Sequence, residues 1–161
     1  MNDIILGLFK EAEKNLIKYG ALHPCAIIFS TVIDNPYIVD LTYAFSNVDC
    51  RNEFYDIFPQ MLMDRKAYKI IFISETWVFN NIEKLTQEEI ERCLEDPSYA
   101  RKNSGCEAVQ VVELFPDKSL GYYRLFKRNF EGGIVLGDFY ESGCIVMDRM
   151  DRFQGALLEV Y

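Results

Sequence analysis

The spacing of hydrophobic residues predicts a helix and then a hairpin at the start of the chain. Over residues 3–19 apolar side chains recur every three or four positions, which is typical of an amphipathic helix, and Gly20 is suited to end it. Strand-like sequence follows over residues 26–32 and again over 37–45. The turn-forming sequence Asp34-Asn35-Pro36 separates these two stretches, so they are predicted to pair as a hairpin.

The sequence in the middle of the chain predicts one helix before and one helix after a long strand. Residues 51–66 carry apolar side chains at helical spacing, and residues 69–79 are apolar at most positions and form the predicted strand. A capping box that begins at Thr86 predicts a short helix running to about Leu94. Residues 97–105 are polar and are predicted to form an exposed loop.

The last third of the chain predicts successive strands with short connections. Residues 107–115, 121–130 and 134–140 are rich in β-forming residues, and turn sequences separate them. A further strand is possible at 144–147. The end of the chain, 147–161, fits either a short amphipathic helix or a tail. Strands joined by short turns pair as an antiparallel meander.

The order of elements is therefore helix, hairpin, helix, strand, short helix and β-meander. This order predicts an α+β fold, with a mainly antiparallel sheet of about 5–6 strands, helices packed on it, and a single domain over residues 1–161. A doubly wound nucleotide-binding fold is not expected. The alternation of strand and helix stops after the third strand, and the chain lacks the sequence Gly-x-Gly-x-x-Gly.

The composition narrows the classes of partner and cofactor. A net charge of −8 argues against nucleic acid as the main partner, because phosphate binding depends on clustered Lys and Arg. The five cysteines include no Cys-x-x-Cys pair, and the chain has one histidine, so neither a structural zinc site nor any other cofactor is predicted. Free thiols in a reducing compartment agree better with this pattern.

The hydrophobic runs are too short to predict a membrane segment. None approaches the roughly 20 apolar residues that a spanning helix requires. The sequence also starts without the basic and then apolar segments of a secretory signal. A cytoplasmic location without membrane association is therefore expected.

The predicted strand over residues 70–79 is the most informative part of the sequence. Alternation along the strand places one set of side chains on one face, Ile71, Ile73, Glu75, Trp77 and Phe79. The other face receives Ile70, Phe72, Ser74, Thr76 and Val78. Because neither face is predominantly polar, the strand is predicted to be central in the sheet.

Glu75 is the main candidate for a functional residue, because a carboxylate in such a strand must be paired, protonated or next to a cavity. As a functional group it would act as a general base, or bind a cationic or hydroxylated ligand beside Trp77. The alternatives are structural: an ion pair with an arginine of the meander, or a strand end that reaches water. Arg124 and Arg128, which share a strand face, are the predicted partners.

Two other groups of residues suggest chemistry less directly. His23 is the only imidazole, and a capping or hydrogen-bonding role at the mouth of a strand is favoured for it. Cys25 lies two residues from His23, but apolar surroundings would leave its thiol unreactive. A metal-dependent hydrolase would need converging carboxylates. The candidates on or near strands, none with a diagnostic spacing, are Asp40, Glu75, Glu107, Glu113 and Asp138.

Three short motifs are similar to those of an uncharacterised family of small prokaryotic and phage α+β proteins. They are Ser74-Glu75-Thr76-Trp77, Pro97-Ser98, and Glu107-Ala108 followed by a β-rich stretch. The similarity covers roughly residues 5–137. The family has no assigned activity, so the resemblance implies a site around the Ser-Glu-x-Trp motif and no particular reaction.

The chain departs from that family at one position. The family places an arginine two residues before Glu-Ala, and here that position is Gly105. Arg101 or Lys102, in the preceding loop, would have to take its place.

Together these observations predict a non-enzymatic binding or protein-interaction module that associates with itself, a homodimer being expected, or with another protein. A small ligand would bind at Glu75, Trp77, Arg101, Arg124 and Arg128. The alternative is a carboxylate- or Mg²⁺-dependent hydrolase with its site around Glu75, in which Glu75 and His23 are the candidate catalytic groups.

Overall fold

The computed structural model describes residues 2–79, 84–103, 105–142 and 150–159. The helices in these ranges are α1 (Asp3–Tyr19), α2 (Val48–Asp64), α3 (Gln87–Glu95), α4 (Pro97–Lys102) and α5 (Met150–Gly155). The strands are β1 (Cys25–Ser30), β2 (Tyr37–Asp40), β3 (Ala67–Phe79), β4 (Gly105–Leu114), β5 (Ser119–Arg128) and β6 (Ile134–Ser142). The predicted α+β fold is confirmed.

The six strands form one antiparallel sheet in the order β2-β1-β3-β4-β5-β6. β3 lies between β1 and β4, which confirms that the strand with two apolar faces is central. β4, β5 and β6 follow one another in space as in sequence, and so form the predicted meander.

Helices cover parts of both faces of the sheet. The face that carries Ile71 and Ile73, called the α1 face below, packs against the apolar stripe of α1. The buried members of that stripe are Ile5, Phe9, Ala12 and Leu16. The opposite face, which carries Ile70 and Phe72 and is called the α2 face, packs against α2 and α5. Burial of apolar surface on both faces of β3 explains its two-faced apolar sequence.

Local capping interactions fix the ends of α1. The side-chain oxygen of Asn2 accepts a hydrogen bond of 2.9 Å from the backbone N–H of Ile5. At the other end Gly20 adopts a left-handed conformation with φ of 76°, and its N–H bonds to the carbonyl of Leu16. The helix thus spans the predicted residues.

Three predicted segments differ from the structure. The second strand of the hairpin ends at Asp40 rather than Phe45. α2 begins three residues early, because Asn47 caps it with a 2.8 Å hydrogen bond from the N–H of Cys50. The loop predicted over 97–105 was wrong, since α4 occupies most of it and Asp96 caps that helix through the N–H groups of Ser98 and Tyr99.

The undecided C-terminal region contains a helix. α5 lies within 147–161 and buries Phe153 completely. The strand considered at 144–147 lies outside the described residues. No helix in the described part of the chain is long and apolar enough to cross a membrane.

Candidate functional site

The register of the central strands brings several sequence-distant polar residues together at one end of the sheet. Glu107 of β4 pairs with Trp77 of β3 on one side and with Phe126 of β5 on the other. Residues directly opposite one another in adjacent strands point to the same face. Glu75, Trp77, Glu107 and Arg128 therefore share the α1 face, just beyond the end of α1.

Glu75 is held by two partners. One of its carboxylate oxygens accepts a 2.8 Å hydrogen bond from the backbone N–H of Leu22, in the segment that follows α1. The other lies 3.4 Å from a guanidinium nitrogen of Arg128. The side chain remains 29% exposed. The prediction of an ion pair with an arginine of the meander is thus confirmed.

Arg128 links three parts of the molecule. Its guanidinium donates to the carbonyl of Gly20 and, through Nε at 3.2 Å, to a carboxylate oxygen of Glu107, in addition to its contact with Glu75. Two carboxylates and one carbonyl thus surround one cation, whose charge compensates one of the two negative charges. Because each of its three guanidinium nitrogens donates to a partner, Arg128 is an anchoring residue.

Arg101 is held much less tightly. It extends from the last turn of α4, with its guanidinium carbon 5.7 Å from the centre of the Trp77 ring. Its ion pair with Glu107 is 3.8 Å long, and its side chain is 53% exposed. An exposed ion pair of this length contributes little to stability, so a ligand anion can compete for the guanidinium.

The absence of a side chain at Gly105 allows α4 to approach β4. A Cβ atom at this position would lie 2.7 Å from the carbonyl oxygen of Ala100 and 2.7 Å from the Phe79 ring. Any larger residue would displace α4 and, with it, Arg101. A packing requirement therefore accounts for the glycine at this position.

These residues surround an open pocket of about 290 Å³, called the Trp77 pocket. Its principal lining residues are Trp77, Phe126, Arg101, Lys127, Arg128 and Glu107. The pocket thus combines two aromatic rings with two guanidinium groups and one carboxylate, whereas the side chain of Lys127 alternates to the other face of β5. Phe126 had not been considered as a site residue, and only the strand register, through Glu107, reveals that it lies near Trp77.

Two predicted site residues lie elsewhere. Arg124 is on the same sheet face, but its Nε bonds to Glu13 of α1 at 2.9 Å and a terminal nitrogen bonds to the carbonyl of Gly137 at 3.1 Å. Its predicted pairing with Glu75 was wrong, because α1 supplies a closer carboxylate. His23 is exposed, and its Nδ1 lies 3.4 Å from the hydroxyl of Thr42. This contact agrees with the predicted hydrogen-bonding role.

Cys25 is expected to be a slow nucleophile. Burial, and secondarily the carboxylate of Asp40 opposite it in the hairpin, raises the pKa of the Cys25 thiol, so the thiol stays protonated near neutral pH. Peptide-resolved alkylation should show Cys25 reacting more slowly in the folded than in the denatured protein. In the folded protein the alkylation rate should continue to increase with pH above the range in which ordinary thiols ionise. A folded-state rate that levels off at or below that pH would contradict this expectation.

Of the five candidate carboxylates, the structure brings together only Glu75 and Glu107, both in contact with Arg128. Asp40 and Asp138 are exposed at separate places. Among the described residues no three His, Cys, Asp or Glu side chains form a cluster that could hold a metal ion.

Glu113 is the most deeply buried acid of the candidate set, at 2% exposure. It lies 3.5 Å from the Lys69 ammonium and accepts a 3.3 Å hydrogen bond from the Tyr122 hydroxyl. Burial, followed by the charge of Glu113, raises the pKa of Tyr122, which keeps the hydroxyl protonated as the donor. The sequence signal was present, because Glu113 also lies in a two-faced apolar strand.

Comparison of the chain with protein-family models, with curated proteins and with solved structures gave no match. The resemblance to the Ser-Glu-x-Trp family therefore stays a prediction. The geometry of the site is the evidence on which a function can be argued.

Proposed function

We propose that this chain is a binding module whose ligand carries an anionic group next to a planar apolar ring. The composition of the Trp77 pocket supports this choice. The guanidinium groups of Arg101 and Arg128 lie at it together with the carboxylate of Glu107, in a chain with a net charge of −8. A guanidinium group attracts anions, and the indole face provides a stacking surface for a ring.

Arg101 above the indole of Trp77 is the observation on which the proposal depends. Its side chain is half-exposed and loosely paired, whereas each guanidinium nitrogen of Arg128 has a partner in Glu75, Glu107 or Gly20. A ligand carboxylate could displace Glu107 from Arg101 at small cost, while the Arg128 network keeps the pocket walls in place. The site therefore combines a rigid base with one exchangeable cation.

The same geometry disfavours the hydrolase alternative. A carboxylate-dependent hydrolase would use Glu75 with a second acid to hold a metal ion or to activate water. Here the second acid is Glu107, and the guanidinium of Arg128 already contacts both carboxylates. Saturable Mg²⁺ binding that the substitution Glu75→Gln abolishes would favour the hydrolase instead.

The fluorescence of Trp77, the only tryptophan, provides a direct test of binding. Benzoate should change the emission saturably, whereas benzamide, which lacks the charge, and inorganic phosphate, which lacks the ring, should bind at least about tenfold more weakly. The substitution Arg101→Gln should weaken benzoate binding about tenfold, the effect of losing one charged hydrogen bond.

Arg92→Gln is the matched control. Arg92 also lies over an aromatic ring, at 4.2 Å from the centre of Tyr99, but it does not line the pocket. The substitution Arg92→Gln removes the same charge as Arg101→Gln and should leave benzoate binding unchanged. Equal affinities of benzoate and benzamide, or equal effects of the two arginine substitutions, would exclude the proposed site.

A further inference from the structure

The turn between β5 and β6 exposes an aromatic ring next to a carboxylate. Phe130 is completely exposed, and Glu131 follows it at the surface. The turn begins directly after Arg128, so it lies at the same end of the sheet as the Trp77 pocket. Because Phe130 is fully exposed, it does not occupy the pocket of its own chain.

A network of hydrogen bonds holds this turn in one conformation. The side-chain oxygen of Asn129 accepts from the N–H groups of Glu131 at 3.1 Å and Gly133 at 2.7 Å. The N–H of Asn129 bonds to the carbonyl of Gly133 at 2.9 Å, and the N–H of Gly132 bonds to the carbonyl of Asn129 at 3.0 Å. A preorganised turn loses little conformational entropy on binding, so Phe130 is well suited to act as an anchor.

The turn carries the chemistry that the Trp77 pocket is proposed to bind. The ring of Phe130 matches the indole of Trp77, and the carboxylate of Glu131 matches the exchangeable guanidinium of Arg101. This charge complementarity is specific to the turn and the pocket, because two copies with a net charge of −8 otherwise repel each other.

We infer that Phe130 and Glu131 of one copy bind the Trp77 pocket of a second copy. The inference rests on the proposed function of that pocket and names its partner. Because turn and pocket are neighbours at one end of the sheet, a two-fold axis there permits both insertions at once. The result is a closed dimer in which each chain gives one turn and receives one.

Analytical ultracentrifugation at protein concentrations of about 1–100 μM tests for the dimer, since the dissociation constants of weak self-association fall in this range. The wild-type chain should dimerise, and Phe130→Ser should weaken dimerisation at least about thirtyfold, as expected for an interface anchor. Ile38→Ser is the matched control: Ile38 is 67% exposed on the edge strand β2 and should have no effect. If Ile38→Ser separates the copies and Phe130→Ser does not, the interface is at β2 and the inference is wrong.

A charge exchange tests the specific contact. Arg101→Glu and Glu131→Lys should each give monomers, because each puts like charges together at both contacts of a homodimer. An equimolar mixture should form heterodimers, because the Glu at 101 of one variant meets the Lys at 131 of the other, while the second contact keeps its native pair. Two variants that remain monomeric when mixed would contradict the contact.

Benzoate binding distinguishes a failure of this inference from a failure of the proposed function. Benzoate should compete with the turn of the second copy for the Trp77 pocket. It should therefore bind the Phe130→Ser variant more tightly than the wild-type chain, in which the turn occupies part of the pockets. If the wild-type chain is monomeric at all these concentrations and benzoate still binds beside Trp77, the inference fails and the proposed function stands. If benzoate binds neither form, the proposed function fails.

Discussion

The substitution Phe153→Ala is expected to lower the free energy of unfolding by about 3–5 kcal/mol, the range for deleting a buried aromatic ring. Phe153 is fully buried in α5 and lies 5.2 Å from the ring of Phe58, 5.6 Å from that of Tyr55 and 6.0 Å from that of Phe72. It therefore joins the C-terminal helix to α2 and to the central strand. Chemical denaturation of the variant and the wild-type chain measures the difference.

Ile57→Ala is the control for this prediction. Ile57 belongs to α2 but is 57% exposed, so its truncation should change stability by less than about 0.5 kcal/mol. A loss for Phe153→Ala as small as that of the control would show that α5 does not pack against the sheet in solution.

The substitution Lys69→Met should lower the free energy of unfolding by a similar amount, about 3–5 kcal/mol, because it leaves a buried charge without its counter-ion. Lys69 and Glu113 form an ion pair whose side chains are 13% and 3% exposed. Removing the ammonium leaves a carboxylate in the interior, where the partner that remains among the described residues is the Tyr122 hydroxyl.

The double variant Lys69→Met/Glu113→Leu should recover most or all of this loss, because apolar side chains of similar size can replace a buried ion pair without a net cost. Lys14→Met is the control, since Lys14 makes an exposed ion pair with Glu11 and should contribute less than about 1 kcal/mol. A double variant no more stable than Lys69→Met would mean that packing, and not the unpaired charge, causes the loss.

Most of the fold could be predicted from the sequence because the burial of one face of a helix or strand requires apolar residues at a regular spacing along the chain. The 3.6-residue period of α1 and the two apolar faces of β3 follow directly from the surfaces that each element covers. The segment of α4 could not be predicted in this way. It is a six-residue helix that depends on its cap at Asp96 and on contact with β4, and a helix of that length has little stability of its own.

Part of the candidate site could be predicted for the same reason. A carboxylate in the central strand must be paired, protonated or next to a cavity, so the sequence identified Glu75, and an arginine of the meander as one of its possible partners. Which of Arg124 and Arg128 pairs with Glu75 could not be predicted from the sequence. The choice depends on the position of Glu13 of α1, which lies 111 residues from Arg124 in the chain.

The sequence by itself determined that the fold is α+β, that the strand of Glu75 is central, and that this carboxylate must be paired, protonated or next to a cavity. Hydrophobic period and the cost of burying charge are local properties of the chain. Only the tertiary structure decided that Arg128 anchors Glu75 and Glu107 while Arg101 remains half-exposed above Trp77. The physical reasons are strand register, which places residues from distant segments opposite one another within a few ångströms, and the close packing of α4 on Gly105.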